Sequence, residues 1–209
     1  MFALAGHPHL RPRVEGARED QILVATLQLL AAVGYDHLTM DAIASAARAS
    51  KATLYRRWTS KVELVVEALD RMKMHGEKQL ADTGSLRTDL LAAACDAGGV
   101  TDEFGLSVLG SIVTAIQHDK EFATAFRERF VAKRVAYQRG IFQRAIDRGE
   151  LPVGVDIDAL LFVLPALCLH QAYVLGQHVT AQTVRQYVDD VVMPAVEHQV
   201  RRLTETQRV

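Results

Sequence analysis

The chain has 209 residues, 49% of them hydrophobic and 23% charged, with 24 Lys/Arg set against 25 Asp/Glu for a formal charge of −1. That composition supplies one small and one medium core and excludes a chain disordered beyond its ends. No apolar run reaches the roughly 18 residues that span a bilayer, and Met1 to Val14 lacks the charged start and long apolar centre of a signal peptide, so a cytoplasmic protein is expected.

In chain order, residues 1–14 read as a flexible arm. Ile22, Thr26, Leu29, Leu30 and Val33 then recur at helical spacing until Gly34, and Tyr35 to Leu38 form a turn. Thr39 suits an N-cap, Asp41 favours the first turn of the next helix, and Ile43, Ala44 and Ala47 give it a compact inner face. Ser50 caps a third helix. Counting 100° per residue puts Leu54 and Trp58 inward, Ala52 and Arg56 on the opposite side, and Thr53 and Tyr55 on the flanks. Two short helices about a tight turn make a helix-turn-helix. From Arg48 to Lys61 there are five basic residues and no acidic one, the footprint of a phosphate-binding surface. Small residues at Ala49 and Ala52 favour close approach to a major groove about 12 Å wide, where Lys51 and Arg56 point to base edges while Tyr55, Arg57 and Lys61 suit phosphates.

Ser60-Lys61-Val62-Glu63 has the spacing of a capping box, with the serine capping and Glu63 reaching back. Lys61 then opens a helix, where a cation opposes the dipole unless an anion such as a DNA phosphate docks there. This helix runs towards Gln79 as a connector and breaks at Asp82-Thr83-Gly84; Ser85 caps another through Ala97. Gly98-Gly99 precede a helix near Leu106 to Gln117, and a long one follows from Lys120 to Arg148, stopped by Gly149 before Pro152 and Gly154. Two more are expected at Asp156 to Leu175 and Ala181 to Leu203, kinked by Pro165 and Pro194. The former is apolar nearly all round, which calls for cover on both sides and suggests a symmetric dimer through these last two helices.

Ile43-Ala44 with Ala47, the run Ser50 to Trp58, and Ser60 to Leu64 resemble the N-terminal domain of tetracycline-repressor-like (TetR-family) regulators over about residues 18–66. The resemblance implies DNA contacts at Thr53, Tyr55 and Lys61; with them we group Thr39, Arg48, Ser50, Lys51, Ala52, Arg56 and Arg57. Two departures stand out. Arg48 occupies a turn position usually held by glycine, at a cost of roughly 1–2 kcal/mol for a left-handed backbone. Arg57 and Trp58 replace the usual Tyr/His and Phe. Arg148-Gly149-Glu150-Leu151, Val155-Asp156 and the apolar helix look like one common C-terminal regulatory domain of that family, which implies a four-helix dimer interface and a small-molecule site.

The expected architecture is therefore all-α: a three-helix helix-turn-helix domain over residues 15–60, a connector helix over 61–84, and a helical ligand-binding and dimerisation domain over 85–209. Leu91, Cys95, Leu109, Val113, Phe126, Phe130, Phe142 and Leu164 are possible ligand lining. Cys95 and Cys168 fit reduced core thiols, and His118, His170 and His178 lack the close spacing of a metal site, so no metal and no cofactor are expected. No nucleophile–base pair or phosphate-cradling glycine loop supports an enzyme. A ligand-responsive repressor is expected, binding a near-palindromic operator as a dimer and released by an apolar or amphipathic effector. The rival reading is a membrane-surface or scaffold protein, since Lys120 to Arg148 carries eight basic residues against three acidic ones.

Overall fold

A computed structural model describes residues 12–74, 82–95 and 103–206, and among these every regular element is helical. Residues 1–11, most of the expected arm, lie outside this range, as do Gly98-Gly99 and residues 75–81 of the expected connector. Helix α1 (Pro12–His37) contains a break at Gly34, whose φ of 75° and ψ of 168° are those of no helical residue. Helices α2 (Met40–Ala46), α3 (Lys51–Arg57) and α4 (Lys61–Met74) follow. The C-terminal part holds α5 (Leu86–Cys95), α6 (Glu103–His118), α7 (Lys120–Phe126), α8 (Ala132–Asp147), α9 (Leu160–Leu169), α10 (Ala181–Tyr187) and α11 (Met193–Thr206).

The long helix expected from Lys120 is continuous but not uniform. A π-helical stretch, Arg127–Val131, joins α7 to α8. Another, His170–Val174, extends α9, and a third, Val188–Val192, joins α10 to α11. Pro165 sits inside α9 without ending it. Pro194 is the second residue of α11, one residue beyond the third stretch, whose wider turn accommodates a residue with no N–H and a ring that would crowd the preceding turn. Helix α9 starts at Leu160 and not at Asp156, because Asp156 turns its carboxylate onto the Asp158 N–H (3.1 Å) and the Ile157 carbonyl accepts from Leu160 N (3.0 Å).

Two hydrophobic cores organise these helices. The first takes Ile22, Leu23, Leu27 and Leu30 from α1, Ile43 and Leu54 from the helix-turn-helix, Trp58, and Leu64, Val65, Ala68 and Leu69 from α4; Val108, Ile112, Phe122, Phe126 and Phe130 complete it. The second joins Leu86 and Leu90 of α5 to Ile141 and Phe142 of α8, to Leu160, Leu161, Leu164 and Cys168 of α9, and to Val184, Val188, Val192 and Val196. Packing therefore departs from chain order: α6 and α7 belong with the helix-turn-helix, and α4 is a wall of the first core as well as a connector.

An ionic cluster pins the start of α5. Asp89, 1% exposed, accepts from the Thr83 N–H (2.7 Å), the Thr83 hydroxyl (2.6 Å) and Arg148 (3.1 Å). Burial pushes its carboxyl up, but the Thr83 donors and Arg148 outweigh burial and hold it below the usual carboxylate range. Glu150 caps α5 from across the fold, both oxygens accepting from Leu86 N at 2.8 and 3.0 Å.

Candidate nucleic-acid interface

Both short helices start on side-chain caps. Thr39 Oγ1 accepts from Ala42 N at 3.1 Å and Ser50 Oγ from Thr53 N at 3.1 Å, each satisfying one N–H that the helix itself leaves open. Between them the chain reverses through Arg48, whose φ of 51° is the left-handed conformation expected of a glycine position. It is held by Arg48 N donating to Ser45 O (3.0 Å), by Ala49 N donating to Ala44 O (2.8 Å), and by Arg18, whose guanidinium bonds the Arg48 carbonyl. These bonds offset the strain and seat α1 beside the turn.

Leu54 and Trp58 anchor α3 with no exposed surface, and the opposite side presents Lys51, Ala52, Tyr55 and Arg56 to solvent, with Thr53 half-buried between. Tyr55, 52% exposed, is a large aromatic with no core to fill. Lys51 pairs with Asp41 at 2.7 Å, which brings the first turn of α2 against the first residue of α3. That pair is exposed on both sides and worth only about 0–1 kcal/mol, so a phosphate or base edge can displace it. Arg56 has no ion pair or hydrogen bond among the described residues.

Arg57, expected at a phosphate, is exposed and is also engaged within the chain. Its guanidinium meets Glu19 at 3.2 Å and Glu67 at 3.1 Å and lies 5.6 Å from the Trp58 ring. Glu67 also accepts from the Trp58 indole N–H (2.9 Å). The tryptophan noted in the sequence thus brings a donor that phenylalanine lacks; Glu67 is its acceptor, and Arg57 donates to the other oxygen of that carboxylate. Glu67 was not singled out in the sequence; the indole's need for a partner was the available signal. Arg18 gave none.

At the start of α4, Ser60 Oγ accepts from Glu63 N (3.2 Å) as the capping box requires, while Glu63 reaches Thr59 instead of Ser60, accepting from its N–H at 2.8 Å and its hydroxyl at 2.9 Å. These bonds hold the Glu63 carboxyl below its usual range. Lys61 is half-buried, its ammonium bonded to the Tyr35 carbonyl.

The eight candidate lining residues are not gathered around one space. Phe126 and Phe130 are buried in the first core with Leu109 packed on it, whereas Phe142 and Leu164 are buried in the second with Leu91 beside them. Val113 is 51% exposed, and the side chain of Cys95 lies outside the described residues. A cleft of about 350 Å³ lies elsewhere, between α1, α4 and α6, lined by Leu23, Val24, Leu27, Ala68 and Phe104 with the Asp20–Arg71 pair. Apolar periodicity marks positions that face inward; it carries no record of which inward space stays unfilled.

The basic run from Lys120 is partly neutralised within the chain. Lys133 pairs with Asp70, Arg139 with Asp158 at 2.7 Å, and Arg144 and Arg148 with Asp89. No helix among the described residues is long and apolar enough to cross a membrane.

Comparison with known proteins agrees with this geometry at both ends of the chain. Residues 22–68 match the family described as bacterial regulatory proteins, tetR family, and residues 80–191 match the tetracyclin repressor-like C-terminal domain. An uncharacterised HTH-type transcriptional regulator of Mycobacterium tuberculosis is 37% identical over 184 residues, 86% of this chain and 88% of that protein. The DNA-binding transcriptional repressor TetR of Mycobacteroides abscessus is 32% identical over 176 residues, covering 84% of this chain and 92% of its own. Among solved structures, a TetR family transcription regulator superposes with a TM-score of 0.66 at 27% identity, over 84% of this chain and 96% of that one. A TetR-family regulator from a Rhodococcus species gives 0.70 at 17% identity over 85% and 99%, a likeness of fold.

Proposed function

The chain belongs to the TetR family of transcriptional regulators, and from that premise we propose that it is a repressor that binds a near-palindromic operator as a homodimer and is released by a small apolar or amphipathic effector. The observation that carries the DNA reading is the division of α3 and its C-cap into a buried pair, Leu54 and Trp58, and an outward set of Lys51, Ala52, Tyr55 and Arg56 on a helix fixed by the Ser50 cap. Lys51, Thr53 and Arg56 read base edges; Thr39, Arg48, Ser50, Tyr55 and Lys61 serve the backbone. Arg57 braces α3 against α1 and α4 and supports the reading surface from behind.

The dimer forms through α9 to α11. Phe162 (54% exposed), Tyr173, Val174, Leu175 and Val191 are large apolar side chains left open on these elements, and a second copy in twofold relation covers them. The effector enters the C-terminal core near Leu91, Phe142 and Leu164, and its coupling to DNA, typically about 1–3 kcal/mol, is reciprocal.

Selection of duplexes from a random pool by the full-length protein, followed by titration at several salt concentrations, tests the reading. Two half-sites one helical turn apart or a multiple of it, with log affinity falling at about −0.9 per neutralised phosphate against log salt, are expected. Equal affinity for all duplexes would contradict it. Phe162→Glu should give monomers in sedimentation at micromolar concentration; a surviving dimer would place the interface elsewhere.

A further inference from the structure

Lys61 opens α4, and its ammonium is already held before any phosphate arrives. It donates to the Tyr35 carbonyl at 3.0 Å and stands 4.0 Å from the centre of the Tyr35 ring. Both contacts are with one residue, which follows directly on the non-helical Gly34. Tyr35 is buried, and its hydroxyl donates to Asp119 Oδ2 at 3.1 Å. Burial first, then the charges of Asp119, Glu121 and Asp36, raise the phenol far above its ordinary value, so the hydroxyl keeps its proton and stays a donor. The other oxygen of Asp119 caps α7 by accepting from Phe122 N at 2.9 Å, and the Phe122 ring lies 4.4 Å from that of Tyr35. One carboxylate thus grips both the first turn of α7 and the tyrosine that grips Lys61.

We propose that Tyr35 is a positioning residue for the DNA contact of Lys61, and that Asp119 makes this position depend on where α7 lies. The inference rests on the reading of Lys61 as a phosphate contact. A lysine has four rotatable bonds and a strongly hydrated head, so an unrestrained ammonium must be ordered on binding; a carbonyl and a ring face order it beforehand. The ring contact is also the one a moving α7 would disturb first, because Phe122 and Asp119 both bear on Tyr35. The first core therefore contains a direct chain of contacts from a helix of the C-terminal part to a cation at the DNA surface.

The test uses the full-length protein and the duplex it recovers from a random pool. Tyr35→Phe removes only the hydroxyl and should weaken binding about threefold to tenfold, the range of one hydrogen bond. In a Lys61→Gln background the same change should add nothing. Equal losses in both backgrounds, or no loss with Lys61 present, would overturn the proposal. A second readout needs no DNA: acetic anhydride labelling followed by mass spectrometry should show Lys61 acylated several-fold faster in Tyr35→Phe, with Lys51 and Lys133 unchanged. An unchanged Lys61 rate overturns the positioning role, and faster labelling of all three reports general loosening and overturns it too. If Tyr35→Phe does not fold, Asp119→Thr keeps a capping hydroxyl for α7 but is too short for Tyr35, and the same results are expected. Failure to recover any duplex would sink the operator reading and the DNA role of Tyr35 together, and the labelling would still report whether Tyr35 holds Lys61.

Discussion

The two cores differ in what they leave outside. The first seals its centre, with Trp58, Leu54, Phe122 and Ile22 fully buried; it leaves open the cleft between α1, α4 and α6 and a surface of cations on short, capped helices. The second leaves more apolar surface open, with Phe162 exposed on α9 opposite the buried Leu160, Leu161, Leu164 and Cys168, and with Val174 exposed just beyond. A reading surface needs polar groups held still, so its apolar residues are spent on a rigid support. An assembly surface needs apolar area presented outward, and the proposed dimer gives these open side chains their cover. The boundary between the two runs through the long helix at Arg127–Val131, since Phe126 and Phe130 belong to one core and Ile141 and Phe142 to the other.

The largest effect that could break this division is a cavity on one side of it. Phe142→Ala should cost about 3–5 kcal/mol and Leu54→Ala about 2–5 kcal/mol. Trp58 is the sole tryptophan and sits in the first core, so its emission reports that core alone. Under denaturant, Leu54→Ala should shift the Trp58 transition, and Phe142→Ala should shift the far-ultraviolet dichroism more than the Trp58 signal. Coincident shifts in both variants would make the two cores one cooperative unit.

The ionic cluster under the second core sharpens the contrast through pH. The carboxyl of Asp89 is lower in the folded chain than its ordinary 3.8, so its contribution is complete above that value and is lost as the pH falls through the folded value. Asp89→Asn should lower stability at pH 7 and flatten the acid dependence of the urea midpoint as the pH falls below 3.8. An unchanged slope would assign the acid sensitivity to other carboxylates.

Smaller effects belong to the reading surface. Ser50→Ala should cost about 1 kcal/mol in stability through the lost cap and weaken duplex binding further by loosening α3. Arg48→Gly should relieve the left-handed turn and change stability by no more than about +1 kcal/mol, because glycine's freedom in the unfolded chain offsets part of the gain. It should also lower the magnitude of the salt slope by about 0.9, the share of one phosphate contact; an unchanged slope would place the Arg48 charge away from the DNA.

Most of the architecture was legible because it rests on local signals. Gly34, Thr39, Ser50, Gly149 and the apolar spacing of α1 and α3 mark ends and faces within a turn or two of themselves, and the structure places breaks and caps at those residues. The inward direction of Leu54 and Trp58 was equally readable. What was not legible depends on partners far along the chain. Arg57 turns towards Glu19 and Glu67, Lys61 towards Tyr35, and Tyr35 towards a carboxylate 84 residues away. No periodicity encodes such pairings. The grouping of α6 and α7 with the helix-turn-helix was hidden for the same reason, since an amphipathic helix declares that it has an inner face without declaring which core that face completes.

The π-helical stretch at Arg127–Val131 has a consequence for how this protein could change by insertion or deletion. A π turn holds one more residue than an α turn, so it works as a phase shifter: everything after it is rotated by about 100° relative to an uninterrupted α-helix. Phe126 and Phe130 are set in phase with the first core, and Ile141 and Phe142 in phase with the second. Removing a single residue there would rotate one set of side chains by about 100° relative to the other, so that both could no longer face their own cores. The spacing of these two clusters along the chain is thus fixed to the residue, in a stretch where the sequence shows nothing but an ordinary helix.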